Sequence, residues 1–298
     1  MISNINQKVQ QVLNSRKKSA EQTALQNLLL ARKNKEFLCL EKQECALVVD
    51  IAKKEFLGEN ASELRKTLEE TQKNKENLLK KLNLNIKPVY FCKKCLDCGT
   101  YENKICDCKK EILNELLKKE AGNFNEAYTF ENAKLDDTEK LLFDKMQAWC
   151  EKYPNVKSNT IFICGGIGVG KSYLSYAMAN KLIEKKHFVY FTTAFALNNM
   201  FLDYCKNSNK DALDVLLGAE VLFIDDLGTE PILKNITLNY LYLILNERML
   251  AKKVTIINSN LLPDEILERY EERIFSRIMN KQSGLILGYK GNDRRIKK

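Results

Sequence analysis

Thr160-Ile161-Phe162-Ile163-Cys164-Gly165-Gly166-Ile167-Gly168-Val169-Gly170-Lys171-Ser172 reads as a buried strand that runs straight into a glycine-rich turn and the start of a helix. The octapeptide from Gly165 to Ser172 fills the pattern G-x-x-x-x-G-K-[ST], in which backbone N–H groups curl around phosphate oxygens. Side chains would obstruct that approach, so glycine is needed where the chain comes closest. Lys171 is placed to reach the outer phosphates and Ser172 a magnesium ion. The nucleotide-binding set read from this stretch is Gly165, Gly166, Ile167, Gly168, Val169, Gly170, Lys171 and Ser172, with Tyr173 next to it. The expected cofactors are ATP and Mg2+.

Further along, the apolar run Val221-Leu222-Phe223-Ile224 ends in Asp225-Asp226. Two acids at the end of a buried strand downstream of a phosphate loop suit a metal-holding Asp225 and an Asp226 that acts as general base on the attacking water. Glu230, in Gly228-Thr229-Glu230-Pro231, is a rival base, and an aspartate instead of a longer glutamate at 226 implies slow, switch-like turnover. Val254-Thr255-Ile256-Ile257 delivers Asn258-Ser259-Asn260 to the same edge, where an uncharged amide can sense the terminal phosphate. Asn260 is the first candidate for that role and Asn258 the alternative. In Glu271-Glu272-Arg273-Ile274-Phe275-Ser276-Arg277-Ile278, two arginines lie one helical turn apart. Either could reach a neighbouring chain's nucleotide, the alternative being a surface ion pair with Glu271 or Glu272.

Alternation of apolar strands with helices after residue 160 predicts an α/β fold with a mostly parallel sheet covered on both faces. The predicted strands are Thr160–Cys164, Phe188–Thr192, Val221–Asp225, Val254–Asn258 and Gly284–Gly288.

The N-terminal part differs in kind. From about residue 4 to 84 there is no proline and almost no glycine, and the lysine, glutamate and leucine content predicts two to four helices. The clearest begins at Asn60-Ala61-Ser62-Glu63, and a break follows at Asn85-Ile86-Lys87-Pro88. Such helices serve either as a docking module for another protein or as a passive dimerising coil. Five of the ten cysteines then cluster in Cys92-Lys93-Lys94-Cys95-Leu96-Asp97-Cys98 and Cys106-Asp107-Cys108. Thiolates so spaced can hold one structural Zn2+ when the chain turns back, and Cys92, Cys95, Cys106 and Cys108 are the favoured ligands, with Cys98 able to replace one of them. His187 is the only histidine and lies far from them.

The formal charge is +9, with 24 basic and 17 acidic residues over 1–120 against 24 and 22 over 121–298. That excess argues only weakly for a nucleic-acid partner. No apolar run of membrane-spanning length and no secretory layout at Met1 to Lys8 lead to the expectation of a cytoplasmic protein without membrane contact.

Over roughly residues 125–295 the landmarks resemble the AAA+ helicase loaders of the DnaC/DnaI type and their relative, the IstB transposition helper. Those landmarks are Tyr128-Thr129-Phe130-Glu131-Asn132, the Gly165–Ser172 loop, Ile224-Asp225-Asp226-Leu227-Gly228, Asn246-Glu247-Arg248, Ser259-Asn260-Leu261, Ser276-Arg277 and Gly291-Asn292-Asp293-Arg294-Arg295. The resemblance implies an AAA+ P-loop NTPase with a five-stranded parallel sheet and no C-terminal lid, preceded by a helical domain with a zinc module. It implies Asn260 as sensor, Arg277 as arginine finger, and Arg294 or Arg295 near the phosphates. The cysteine segment is similar to a zinc module in such loaders where C-x-x-C-x-D-T-G is common; here Cys98 stands in place of the threonine.

The boundaries that follow are a helical partner-docking region at 1–88, a zinc-binding module at 89–112, a helical linker at 113–150 and the AAA+ ATPase domain at 151–298. The implied function is ATP-dependent loading: the N-terminal region grips a hexameric replicative DNA helicase, and self-association of the AAA+ domains helps place it on single-stranded DNA. Phe195, Tyr204, Lys206 and Lys210 are candidate DNA contacts. The rival functions are an IstB-like transposition ATPase on double-stranded DNA and a nucleotide-binding adaptor without turnover.

Overall fold

The computed structural model describes residues 5–121, 125–207, 210–280 and 283–289. The chain divides into one unit of residues 10–104 and another of residues 105–298 with residues 1–9.

The N-terminal helices expected from the composition are α1 (Ile5–Ala31), of which the part from Gln10 onward belongs to the first unit, α2 (Lys35–Phe56) and α3 (Ser62–Lys81). Asn34 separates α1 from α2 by accepting from the N–H groups of Glu36 at 2.9 Å and Phe37 at 3.2 Å, which satisfies donors that a helix start leaves open. Ala31, Phe37, Leu78 and Leu79 form the small core between them. Lys75 and Glu44 pair across α2 and α3 at 2.6 Å. A short hairpin follows, β1 (Thr100–Tyr101) and β2 (Lys104–Ile105), turned by Glu102 and Asn103 at φ 49° and 59°.

The second unit begins with α4 (Asp107–Ala121) and α5 (Asp137–Lys152), the latter started by a capping box between Asp136 and Glu139. It continues as β3 (Thr160–Gly165), α6 (Lys171–Glu184), β4 (Val189–Thr193), α7 (Ala194–Asn207), α8 (Lys210–Gly218), β5 (Val221–Leu227), α9 (Thr237–Leu250), β6 (Val254–Ser259), α10 (Pro263–Ile278) and β7 (Gly284–Tyr289). The five strands pair in parallel in the order β4-β5-β6-β3-β7. Each predicted strand is present within a residue or two. β3 therefore lies between β6 and β7, where the strand order reverses, and the crevice beyond the carboxyl ends of such strands is where ligands of open α/β sheets sit.

Two details shape that edge. Pairing of β5 with β6 shifts register between Ile224 and Leu227, so the two acids leave the regular ladder where the strand ends. At the outer edge strand β4, the buried Asn114 of α4 donates to the carbonyl of His187 at 2.7 Å and accepts from the N–H of Val189 at 3.1 Å, closing backbone groups that an edge would expose. Underneath, Arg248 is 1% exposed and held by neutral acceptors, among them Leu216 O at 2.6 Å, Ala219 O at 2.8 Å and Thr255 Oγ1 at 3.0 Å. It ties the turn before β5 to α9 and β6.

Candidate functional site

The loop from Gly165 to Gly170 joins β3 to α6, and the need for glycine is visible in two places. A Cβ on Gly165 would lie 2.2 Å from the carbonyl oxygen of Tyr289, and Gly170 takes φ 110° directly before the helix. Val169 anchors the loop in the core while Ile167 is exposed at its tip. The Tyr173 hydroxyl donates to Thr129 O at 3.0 Å and its ring stacks on Tyr128 at 4.5 Å, so it fastens the segment before α5 to α6.

Lys171, only 5% exposed, donates to Gly165 O at 2.9 Å, Gly166 O at 2.6 Å and Asn260 Oδ1 at 2.7 Å. A lysine ammonium at the mouth of a glycine loop and at a helix N-terminus suits an anionic ligand such as a triphosphate. Ser172 Oγ donates to Asp225 Oδ1 at 3.1 Å, and the Asn258 amide donates to the same oxygen at 2.6 Å. Asn258 in turn accepts from Ser175 Oγ at 3.0 Å, which fixes which way the amide points. Burial, with the charge of Asp226 beside it, pushes the Asp225 carboxyl above the usual carboxylate range against those hydrogen bonds. A hydroxyl and a carboxylate at this spacing fit a hard divalent cation, whose charge would reverse that push.

The structure thus separates two residues that the sequence left as alternatives: Asn258 is buried behind Asp225, and Asn260 meets Lys171. Asp226 follows in the left-handed region at φ 54° and is half-buried. Glu230, the rival base, is 2% exposed with both carboxylate oxygens used by the chain: the N–H of Gly228 donates at 2.9 Å and the Tyr270 hydroxyl also donates.

Arg273 and Arg277 stand on α10 beside Tyr242 of α9. Arg277 donates to Asn246 Oδ1 at 3.1 Å and to the Tyr242 hydroxyl at 3.4 Å, whereas Arg273 donates to Asn239 Oδ1 at 3.0 Å and lies 3.6 Å from Glu271. The ion pair foreseen as an alternative is therefore formed by Arg273. Arg294 and Arg295 lie outside the described residues. On α7 and α8, Phe195, Lys206 and Lys210 are exposed and Tyr204 is half-buried against Tyr240.

In the cysteine segment the thiols of Cys92, Cys95, Cys106 and Cys108 all lie within 4.8 Å of one another. Four thiolates around a tetrahedral zinc stand about 3.8 Å apart, so the group fits that ion. Cys98 is exposed and donates instead to Thr100 O at 3.1 Å. Asp97, which sequence reasoning did not single out, shapes the turn: its carboxylate accepts from the N–H groups of Phe91 at 2.9 Å and Cys92 at 2.8 Å. Its place in the C-x-x-C-x-D spacing was the available signal.

A glycine loop, lysine and serine at a helix start, and two acids on a neighbouring strand of a β4-β5-β6-β3-β7 sheet define a P-loop NTPase domain of the AAA+ class. The model of the Bacterial DnaA ATPase domain matches residues 124–287, more than half of the chain, and the chain belongs to that family. It is 31% identical over 166 residues to the chromosomal replication initiator protein DnaA of Aliarcobacter butzleri, covering 53% of this chain and 36% of that protein. It is 30% identical over 190 residues to the uncharacterized protein YqaM of Bacillus subtilis, covering 59% and 60%. It is also 26% identical over 149 residues to the replicative helicase loader DnaI of Bacillus subtilis, covering 48% and 47%. The chain thus spans between about a third and three fifths of these relatives' lengths. Among the described residues no helix is long and apolar enough to cross a membrane.

Proposed function

We propose that this chain is an ATP-dependent loader that binds a hexameric replicative helicase through its N-terminal region and helps place it on single-stranded DNA. The observation that carries the ATPase part is the convergence of Lys171, Ser172, Asp225 and Asn260, from the ends of three adjacent strands, on one edge of the sheet. The similarity to the loader DnaI supports the replication role.

In this reading the backbone N–H groups of residues 165–170 and the Lys171 ammonium hold the β- and γ-phosphates, giving up the carbonyl contacts that Lys171 makes here. Ser172 and Asp225 would hold magnesium, which supplies charge neutralisation at the phosphate oxygens. Asp226 takes the proton of the attacking water as the bond from the γ-phosphorus to the ADP oxygen breaks, and Asn260 orients that water. Arg277, free of the ion pair that engages Arg273, reaches a neighbouring chain's γ-phosphate in the self-associated form. Cys92, Cys95, Cys106 and Cys108 hold one structural zinc, whose four protein ligands leave no open position for chemistry. Phe195, Lys206 and Lys210 offer a stacking face and two cations to single-stranded DNA.

The test has two arms. Asp226→Asn is expected to lower ATP turnover by about 10²–10⁴-fold while nucleotide binding persists; unchanged turnover moves the reading to a nucleotide-binding adaptor. Full-length chain mixed with the replicative helicase is expected to co-elute with it by size exclusion, and separate elution in ATP, ADP and no nucleotide alike rejects loading.

A further inference from the structure

The loop that follows Asp226 is held from two sides. On one, Ser259 Oγ donates to Leu227 O at 2.5 Å and accepts from the N–H of Leu261 at 3.0 Å, directly around Asn260. Leu261 also closes over Gly228, where φ is 110° and an added Cβ would lie 2.7 Å from its Cδ1. On the other side stands α10. The Tyr270 hydroxyl donates to one carboxylate oxygen of Glu230, and the Arg269 guanidinium donates to the Glu230 carbonyl at 2.5 Å. Burial and the neighbouring Glu230 charge hold the Tyr270 phenol above its ordinary range, so it remains a proton donor.

Directly after Tyr270 the helix breaks. Glu271 has φ 65° and ψ 162°, so Tyr270 ends the first segment of α10 and the second carries Arg273 and Arg277. A non-glycine residue in such a conformation persists only where its surroundings impose it. Asp226 at φ 54° stands at the other end of the same connection. Two constrained backbone positions are therefore joined through one buried carboxylate that has no solvent to turn to. If the loop moves, the Glu230 carboxylate either carries Tyr270 with it or is left with an unpaired oxygen, and the second alternative is disfavoured.

We propose that Glu230 is a positioning residue: through Tyr270 it couples the loop carrying Asp226 to the second segment of α10, so that the nucleotide state of a chain's own site sets how that chain presents Arg277. The coupling inside one chain rests on the proposed nucleotide site, and the delivery of Arg277 to another chain rests in addition on the proposed arginine finger.

Hydrogen exchange of residues 271–278 in the full-length chain tests the coupling, with ADP and with a non-hydrolysable ATP analogue at saturation. The expected result is a difference between the two states of about threefold or more in exchange rate, abolished by Tyr270→Phe and by Glu230→Ala. Equal exchange in the two states of the unsubstituted chain overturns the proposal whether or not either variant folds, and so does a difference that survives in a folded variant. A mixing experiment separates the two readings. A chain with Lys171→Ala, which keeps Arg277, is combined with a chain with Arg277→Ala, which keeps its own site, and regained turnover establishes the finger. Tyr270→Phe added to the Lys171→Ala chain is then expected to lower the regained turnover by about tenfold, and an unchanged value overturns the delivery step. No regained turnover at all rejects the finger reading and with it that step, while the exchange result still decides the coupling.

Discussion

In the sheet unit, Lys171 at the start of α6 and the strand residues Asp225, Asn258 and Ser259 are each no more than 5% exposed and hydrogen-bond to partners far away in sequence, whereas the helices of residues 10–104 carry exposed pairs such as Arg65 with Glu55 besides the partly buried pair of Lys75 with Glu44. Exposed pairs of that kind contribute about 0–1 kcal/mol each, because solvent screens them and two long side chains must be ordered. A buried polar group that loses its partner costs about 1–3 kcal/mol, and more when charged. Substitutions in the sheet should therefore have specific and large consequences, whereas the helical unit tolerates most single changes to its surface charges. Phe37 is buried in the helical unit's small core, but Phe56 is 91% exposed and Phe91 70%; in the sheet unit Phe162, Phe201 and Phe223 are fully buried and Phe195 is exposed. Exposed apolar area of this sort is where a partner gains affinity.

The largest effect is expected from Lys171→Ala. It removes the cation from a group of acceptors built around it, and turnover should fall by roughly 10²–10³-fold or more, with nucleotide affinity falling too. Phosphate-release kinetics and fluorescent-nucleotide titration measure the two. Retention of turnover within a factor of about three would mean that this buried group is architectural, and would erase the functional contrast between the two regions.

Next comes the cysteine group. One equivalent of zinc per chain is expected by metal analysis, falling to well under half an equivalent in Cys95→Ser, because three thiolates and a serine hold the ion poorly. ATP turnover should change by less than about threefold, since Cys95 and the phosphate loop belong to separate units of the fold. Absence of zinc from the unsubstituted chain removes the metal from the proposal. A collapse of turnover in Cys95→Ser would make the metal part of the catalytic machinery rather than a separate structural feature.

Arg248→Ala tests the buried network where no ligand is involved. Leu216 O, Ala219 O and Thr255 Oγ1 would lose their donor and a cavity would open, so unfolding free energy should fall by about 3 kcal/mol. Denaturant melts give the value directly. A loss below about 0.5 kcal/mol would mean that water replaces the guanidinium without penalty, which contradicts the cost argument drawn above.

The contrast between regions also explains what could be read from the sequence. The strands were legible because Val221 to Ile224 and Val254 to Ile257 are uninterrupted apolar runs that end in acids or amides, and the loop was legible because its glycines and lysine are consecutive. Two to four helices at the N-terminus followed from the scarcity of breakers before Pro88, and three are present. Pairings at long range left no periodic trace. Nothing in the chain marks Tyr270 as the partner of Glu230, Asn114 as the cover of β4, or Asn258 rather than Asn260 as the residue behind Asp225. Those depend on which strand ends and helices the sheet order brings together, and a one-dimensional pattern does not specify that order. Cys98 is similar: spacing alone admits it as a ligand, and only the turn made by Asp97 sets it outside the group of four.

The smallest effect lies on the outer edge of the sheet unit, where buried and exposed electrostatics meet. Glu220 is half-buried and pairs with Lys110 at 2.7 Å and with His187 Nδ1 at 2.8 Å. Burial alone would raise its pKa, but the hydrogen bonds and charges of His187 and Lys110 outweigh this and hold the carboxyl below its ordinary value of 4.5. A carboxylate with a depressed folded-state pKa binds fewer protons folded than unfolded. Its contribution is therefore complete above the unfolded value and fades as the pH falls through the folded one. Glu220→Gln should accordingly be less stable than the parent near neutral pH, by well under about 1 kcal/mol because the pair is partly solvated and screened. The gap should close as the pH drops below 4.5. Urea melts of both chains from pH 7 downward measure it, and a gap that widens on acidification would show that Glu220 is held protonated, so that burial rather than pairing governs this edge.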